Sequence, residues 1–246
     1  MTLTYYKDNS ELFTSCVLWF TGRDQTSLGF PILPAGVTVT PNGSWTDLTS
    51  GVTRPVKNFD GSTNYISLTD NDAWTWYLND GSICYWTIFD TLSNSGQYRQ
   101  IAKEIDVNNR WFIGYEHNGR GIMLYGRYNS VNMFNYNSSS FIASANIWYH
   151  ICFVKSSNIY NIYINGISLT YTIESAWNNL SNVGNQLLNI GRSNIMGCNT
   201  NGNIKDLMVF KGRALTQPEI IEIMRLTNPV SCRDFAAIYS GIRGVE

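Results

Sequence analysis

Charged residues are scarce in this sequence. They fill 14% of its 246 positions, and 17 basic side chains against 18 acidic ones leave a formal net charge of −1. Without a basic surplus there is no electrostatic footprint for a phosphate backbone, which argues against nucleic acid as a partner. No apolar run approaches the ~20 residues that a membrane-spanning helix needs, so membrane insertion is not expected. Histidine is rarer still: His117 and His150 are the only two, too few for a typical zinc site without cysteine spacing to help. The five cysteines include no CxxC pair, which excludes a zinc ribbon or a thioredoxin-type motif. Neither a G-x-S-x-G nucleophile turn nor a P-loop occurs. The opening stretch MTLTYYKDNSE has no basic n-region and no apolar h-region, so a classical signal peptide is not expected.

Uncharged polar groups take the place of charge. The chain has 28 Asn, more than its Asp and Glu together, and Ser, Thr and Gly are also plentiful. Asn, Ser and Gly favour turns, whereas Thr and the 15 Tyr favour strands. A hydrophobic content of 43% is ample for a core. The composition predicts an all-β protein with many turns and a neutral polar surface.

Local patterns agree. Ile147 to Lys155 and Ile159 to Ile164 read as two strands of a meander, and Asn165-Gly166 as a two-residue type I′ turn leading to a third at Ile167 to Thr172. Ser82 to Asp90 reads as a buried strand. Tyr98 to Val107 and Arg110 to Tyr115 flank a turn expected at Asn108-Asn109. Gly121 to Arg127, Asn132 to Tyr136, Leu187 to Gly191 and Gly202 to Phe210 continue the series. One helix stands out: Thr216 with Glu219 forms a capping box, Ile220, Ile223 and Met224 share a face, and Pro229 stops it. No linker interrupts the pattern, so a single domain is expected over 1–246, with its core at about 10–226 and an extension at 227–246. Cys84 and Cys152 lie in apolar strand runs, where buried free thiols are the common case. Cys198 and Cys232 are the candidates for a bond.

Four segments in order carry a resemblance. KNFDGSTNYISL (57–68), SICYWTIF (82–89), WYHICFVKSSNIYNIYINGISL (148–169) and the stretch from Leu188 to Met224 resemble the concanavalin A-like jelly roll of the laminin G and pentraxin superfamily. The resemblance implies two antiparallel sheets packed face to face with one short C-terminal helix. Trp19, Phe59, Tyr65, Trp86, Trp148, Phe153, Ile164, Ile190, Ile204, Leu207 and Val209 are the expected core. Gly191 and Gly202 mark close backbone approaches or bulges.

The fold also hosts glycoside hydrolases, some with an E-x-D-x-x-E strand motif. Here Glu104-Ile105-Asp106-Val107 is followed by Asn108-Asn109, so the second Glu is missing. With the turn at Asn108-Asn109, Glu104 stands opposite Ile113 and Glu116 across from Ile101, about 10 Å apart. Retaining hydrolysis needs two carboxyls about 5–5.5 Å apart. No catalytic residue is therefore assigned, and hydrolase is the least favoured reading. Some relatives bind calcium through rim carboxylates. Here the matching positions hold Asn64 and Arg192, which leaves Asp60 and Asn64 as a weak calcium candidate, or more simply as the cap of a turn.

Sugar recognition would use aromatic faces together with Asn, Asp or Arg. Three clusters offer these: Asp72 with Trp74, Trp76 and Tyr77; Arg127, Tyr128, Asn132, Asn135 and Tyr136; and Trp177 with Asn178 and Asn179. Trp74 and Trp76, two apart on an extended chain, are expected on one face. The expected partners are glycans or neighbouring protein subunits, in a homo-oligomer or a larger assembly. A domain type common outside cells, without a signal peptide, points to an extracellular or virion-surface setting. Core packing and subunit contacts compete with sugar binding at each cluster.

Overall fold

The computed structural model describes residues 11–21, 32–45, 47–48, 56–74, 80–93, 96–117, 119–138, 141–157, 159–175 and 184–229. Two antiparallel sheets lie face to face. In chain order the strands of the first sheet are β1 (Cys16–Phe20), β3 (Asp47–Leu48), β4 (Val56–Asp60), β6 (Gly81–Phe89), β11 (Tyr149–Ser156), β12 (Ile159–Ile164), β13 (Ile167–Ser168) and β16 (Asn201–Lys211). Those of the second are β2 (Val39–Asn42), β5 (Tyr65–Leu68), β7 (Gln97–Asp106), β8 (Asn109–Glu116), β9 (Gly121–Tyr128), β10 (Val131–Asn137), β14 (Thr172–Ser175) and β15 (Leu188–Ile190). The first sheet runs β13-β12-β11-β6-β16-β4-β3, with β1 also paired to β16; the second runs β14-β10-β9-β8-β7-β15-β5-β2. This is the concanavalin A-like arrangement implied by the four segments.

The space between the sheets is filled by alternate residues of both. Phe59, Ile83, Tyr85, Phe89, Ile151, Phe153 and Ile204 from the first sheet meet Ile66, Ile101, Ile113, Tyr115, Leu124 and Ile190 from the second. Each such side chain contributes about 1.5–3 kcal/mol by leaving water. Of the expected core residues only Tyr65 is half-buried; the Arg192 guanidinium lies 4.0 Å above its ring. Asn165 (φ 51°) and Gly166 (φ 79°) form the expected turn, and Ile164 pairs with Ile167 across it.

The segment 57–68 is divided between the two sheets. Asp60 ends β4 in the first sheet, and Tyr65 begins β5 in the second. Asp60 makes the passage: its Oδ1 accepts the backbone N–H groups of Ser62, Thr63 and Asn64 at 2.8–2.9 Å. Gly202 (φ 141°) sits against β6, where a Cβ would overlap the Ile88 carbonyl oxygen; at Gly191 a Cβ would strike the Phe59 ring.

The outer face of the first sheet has its own cover. Helix α1 (Gln217–Thr227) lays Ile220 and Ile223 over Trp19, Cys84, Cys152, Met208 and Phe210, joined by Leu12 and Phe13 from the segment before β1. Glu219 accepts the Thr216 N–H at 2.7 Å, completing the helix start. A buried polar chain fixes the helix end. Trp86 Nε1 donates to Thr227 Oγ1 at 2.9 Å, Lys205 Nζ donates to the Thr227 carbonyl and pairs with Asp206, and Trp19 Nε1 donates to Asp206 Oδ1 at 3.0 Å. Arg213 gathers the carbonyls of Glu11, Leu12 and Thr14 at 2.8–3.0 Å and pairs with Glu219.

One expectation is corrected here. Cys84 and Cys152 are not free thiols but a disulfide. The ladder between β6 and β11 sets Cys152 directly opposite Cys84, with their Cα atoms 4.1 Å apart, so neighbouring strands deliver the two sulfurs to one face. Cys232 lies outside the described residues; Cys198 Sγ is 3.4 Å from Gln97 Oε1. Among the described residues no helix is long and apolar enough to cross a membrane.

Candidate functional site

The outer face of the second sheet is built differently. Strand alternation sends Trp111, Ile113 and Tyr115 of β8 inward, and Arg110, Phe112 and Gly114 outward. On β9, Ile122 and Leu124 go in, while Met123, Tyr125 and Arg127 go out. Register then lines these residues up in rows. The first row, Glu104, Arg110, Arg127 and Asn132, crosses β7, β8, β9 and β10; the second is Ala102, Phe112, Tyr125 and Asn135; the third is Arg99, Gly114, Met123 and Asn137.

Within this face the rings and guanidiniums stack. Phe112 and Tyr125 are 5.0 Å apart at 25°. The Arg99 guanidinium lies 4.0 Å over Phe112, and that of Arg110 is 5.7 Å from Phe112 and 5.5 Å from Tyr125. Gly114 makes this stack possible. A Cβ there would come within 2.9 Å of Arg99 Nη1, so the bare backbone lets the guanidinium lie flat across β8 toward Phe112. Burial holds the Arg99 guanidinium below its ordinary pKa, partly offset by the charges of Glu116 and Glu104.

Hydrogen bonds account for only part of these groups. Tyr125 donates its hydroxyl to Asn132 Oδ1 at 2.7 Å, Arg127 Nη2 to the Ser130 carbonyl at 3.1 Å, and Arg99 Nη2 to Gln97 Oε1 at 3.1 Å. Arg99 Nε, Arg110 Nε and Nη1, and Arg127 Nε are buried without an acceptor. The two hairpin turns beside the first row are tied together: the Asn129 N–H donates to Asn109 Oδ1 at 3.0 Å.

The structure sorts the predicted residues. Arg127, Asn132 and Asn135 share the outer face. Tyr136 does not join them, because alternation turns it into the core against Tyr160, 5.0 Å away. Tyr128 is half-buried against the same core. Trp74 is not on a strand face: it ends a single 3-10 turn, Asp72–Trp74, and is only 1% exposed in the main core, so its ring is not offered to a surface ligand. Trp76, Tyr77 and Trp177 lie outside the described residues. Arg99, Arg110, Phe112 and Tyr125 were not anticipated. Their alternation along RWFIGYE and GIMLYGRY was a visible signal, but their meeting depends on cross-strand register.

The carboxylates have other tasks. Glu104 accepts from Ser193 Oγ at 2.9 Å and from the Asn194 N–H at 2.9 Å. Glu116 pairs across the ladder with Gln97, not Ile101. The β7–β8 turn is Val107-Asn108, closed by Asp106 opposite Asn109, so Glu104 faces Arg110 rather than Ile113. Glu104 and Glu116 are thus six positions apart along β8, about 20 Å. That separation excludes the pair from retaining hydrolysis. At the calcium candidate, Asp60 is spent on its turn. Partial burial alone would raise its carboxyl, but the hydrogen bonds from Thr63, Asn64 and Ser62 bring it down to about 2. Asn64 is buried, its Nδ2 donating to the carbonyls of Ser44 at 2.9 Å and Asn58 at 3.1 Å. Among the described residues no three His, Cys, Asp or Glu side chains group around a common point.

Comparison with known proteins places this architecture. Residues 60–221 match the laminin G profile described as the concanavalin A-like lectin/glucanases superfamily. No curated protein matches the sequence significantly. Among solved structures, the binding domain of Paraclostridial Mosquitocidal Protein 1 superposes with a TM-score of 0.66 at 16% identity, covering 86% of this chain and 52% of that one. A structure of botulinum neurotoxin type C, whose cell entry depends on interaction with two ganglioside molecules, gives 0.65 at 16% identity over 89% of this chain and 53% of that one. Domain 4 of AbnA, an extracellular arabinanase from Geobacillus stearothermophilus, in complex with arabinotriose, gives 0.59 at 18% identity over 85% and 98%. The chain spans about half the length of the toxin domains it matches. At these identities the likeness bears on the fold.

Proposed function

This chain belongs to the concanavalin A-like lectin/glucanases superfamily, in its laminin G branch, and from that premise we propose that it is a non-catalytic binding module for a glycan. The ligand lies on the outer face of the second sheet, beside the turns that join β7 to β8 and β9 to β10. One observation carries this reading. The row Arg110, Arg127 and Asn132 sets planar hydrogen-bonding groups at the accessible edge of the sheet, supported from beneath by the buried, stacked rings of Phe112 and Tyr125. Sugar sites rely on a few polar groups held in place by a rigid support, which the two packed rings provide here. The arabinotriose held by the arabinanase domain and the gangliosides of the neurotoxin support the choice of ligand class.

The subunit-contact reading keeps one observation in its favour. Ile105, Val107 and Val131 are exposed around the same pair of turns. They would suit a neighbouring subunit in a virion or other particle-surface assembly. A glycan array probed with the intact chain and with Arg127→Ala decides between them. Binding that the substitution lowers supports the module. An empty array, together with self-association of the chain in light scattering, supports the contact surface and overturns the glycan reading.

A further inference from the structure

Arg110 and Arg127 are direct partners across the β8–β9 ladder. Like charges in that relation have Cβ atoms about 5 Å apart and repel. Ordinary design would place an acid beside them, and the sequence does place acids nearby. None forms an ion pair with either arginine, although Asp106 and Arg110 attract each other through space. Glu104, next in the row, points its carboxylate at Ser193 and Asn194. Asp106 accepts the Asn108 N–H at 2.7 Å and the Asn109 side-chain amide at 3.1 Å in its own turn. Glu116 is held by Gln97. Among the described ion pairs neither arginine appears, and Arg110 Nε and Nη1 and Arg127 Nε are buried without an acceptor. A neutral sugar hydroxyl would accept a hydrogen bond from the guanidinium N–H groups left open, but would leave the two cations repelling each other. An oxyanion does both tasks, accepting one charge-assisted hydrogen bond from the open nitrogen of each guanidinium.

We infer that the glycan carries an oxyanion, a carboxylate or a sulfate ester, gripped between Arg110 and Arg127. This rests on the glycan-binding reading above. Arg99 does not reach the anion; it backs the Phe112 ring from the row two positions further in, and it is 4% exposed. The half-buried pair at the turns is the part a ligand meets.

The test uses matched probes against the full chain by calorimetry: a sialylated trisaccharide and its desialylated core, oligogalacturonate and its methyl ester, and a sulfated disaccharide and its unsulfated parent. At least one charged member should bind about tenfold or more tighter than its neutral twin, and added salt should erode that advantage. Arg110→Gln and Arg127→Gln should abolish the charged-over-neutral preference, and Arg110→Lys, which keeps the charge but loses the planar guanidinium, should retain part of it. Circular dichroism and thermal melting confirm that each variant is folded. Equal binding of charged and neutral twins, or variants that weaken both members alike, overturns the inference and leaves the glycan reading standing. A neutral glycan found on the array with no charged probe binding does the same. Failure of every glycan, charged or neutral, removes both.

Discussion

Glu104 stands opposite Arg110 across the β7–β8 ladder, yet its carboxylate turns away to bind Ser193 and the backbone of Asn194. The acid thereby serves the loop after β15, where Ser193 Oγ in turn accepts the Met196 N–H at 3.1 Å. Replacing Glu104 by Ala should leave those donors without their acceptor. We expect a loss of about 2 kcal/mol in urea unfolding. Asp106→Ala, in an exposed turn, should cost less than about 1 kcal/mol. Equal effects of the two substitutions would contradict the assignment of Glu104 to the loop.

His150 sets an acid limit on stability. It is buried on β11 against Trp86, with ring centroids 5.1 Å apart. Burial, with Lys205 nearby, lowers its pKa from 6.5 to about 3. The sign follows directly. Above pH 6.5 the imidazole is neutral in folded and unfolded chains alike. Below it the unfolded chain takes a proton that the folded chain refuses, so stability falls between pH 6.5 and 3, by at most about 1.4 kcal/mol per unit. Melting temperatures of wild type and His150→Phe across this range should diverge, the variant showing the shallower decline. Parallel curves would refute the role given to His150.

Gly202 tolerates no side chain. Its φ of 141° and the Ile88 carbonyl oxygen at the Cβ position allow neither the conformation nor the space. Gly202→Ala should destabilise by about 3 kcal/mol or more, since β16 cannot move away from β6 without opening the first sheet. Gly119→Ala, where nothing lies within 4 Å of the added carbon, serves as the control and should pay only its backbone cost, near 1 kcal/mol.

The Cys84–Cys152 bond is open to chemical mapping. Alkylation of the denatured, unreduced chain followed by peptide mass analysis should leave these two sulfurs unmodified and recover their peptides as one linked mass. Reduction should lower the unfolding free energy by about 2–4 kcal/mol, as for bonds that close loops of this size. Recovery of both cysteines alkylated before reduction would show the thiols to be free.

Parts of this structure could be read from the sequence because the signals were local. The boundaries of β12 and the turn at Asn165-Gly166 follow from alternation and from two residues that accept positive φ. Thr216 and Glu219 mark the helix start for the same reason. The β7–β8 register was not legible. Asp106 captures the Asn108 N–H and moves the turn one residue earlier, and bulges near Gln100 and Ile105 then shift the pairing again. Periodicity carries no record of such offsets. The same limit hid the site: Arg110 with Phe112, and Tyr125 with Arg127, alternate visibly, but only register brings the four together. Trp74 misled because an apolar ring two residues from another can equally close a helical turn into the core.

The Arg213 clasp has a practical consequence. It fixes the segment from Glu11 to Thr14 and the start of α1 against the first sheet, on the side of the sandwich away from the arginine row. A support attached through the exposed Glu11 therefore holds the molecule by its back. Copies arrayed on such a support would present their second sheets outward in a common orientation. Their collective grip on a repeating polymer would then depend on how densely they are planted as well as on the strength of one contact.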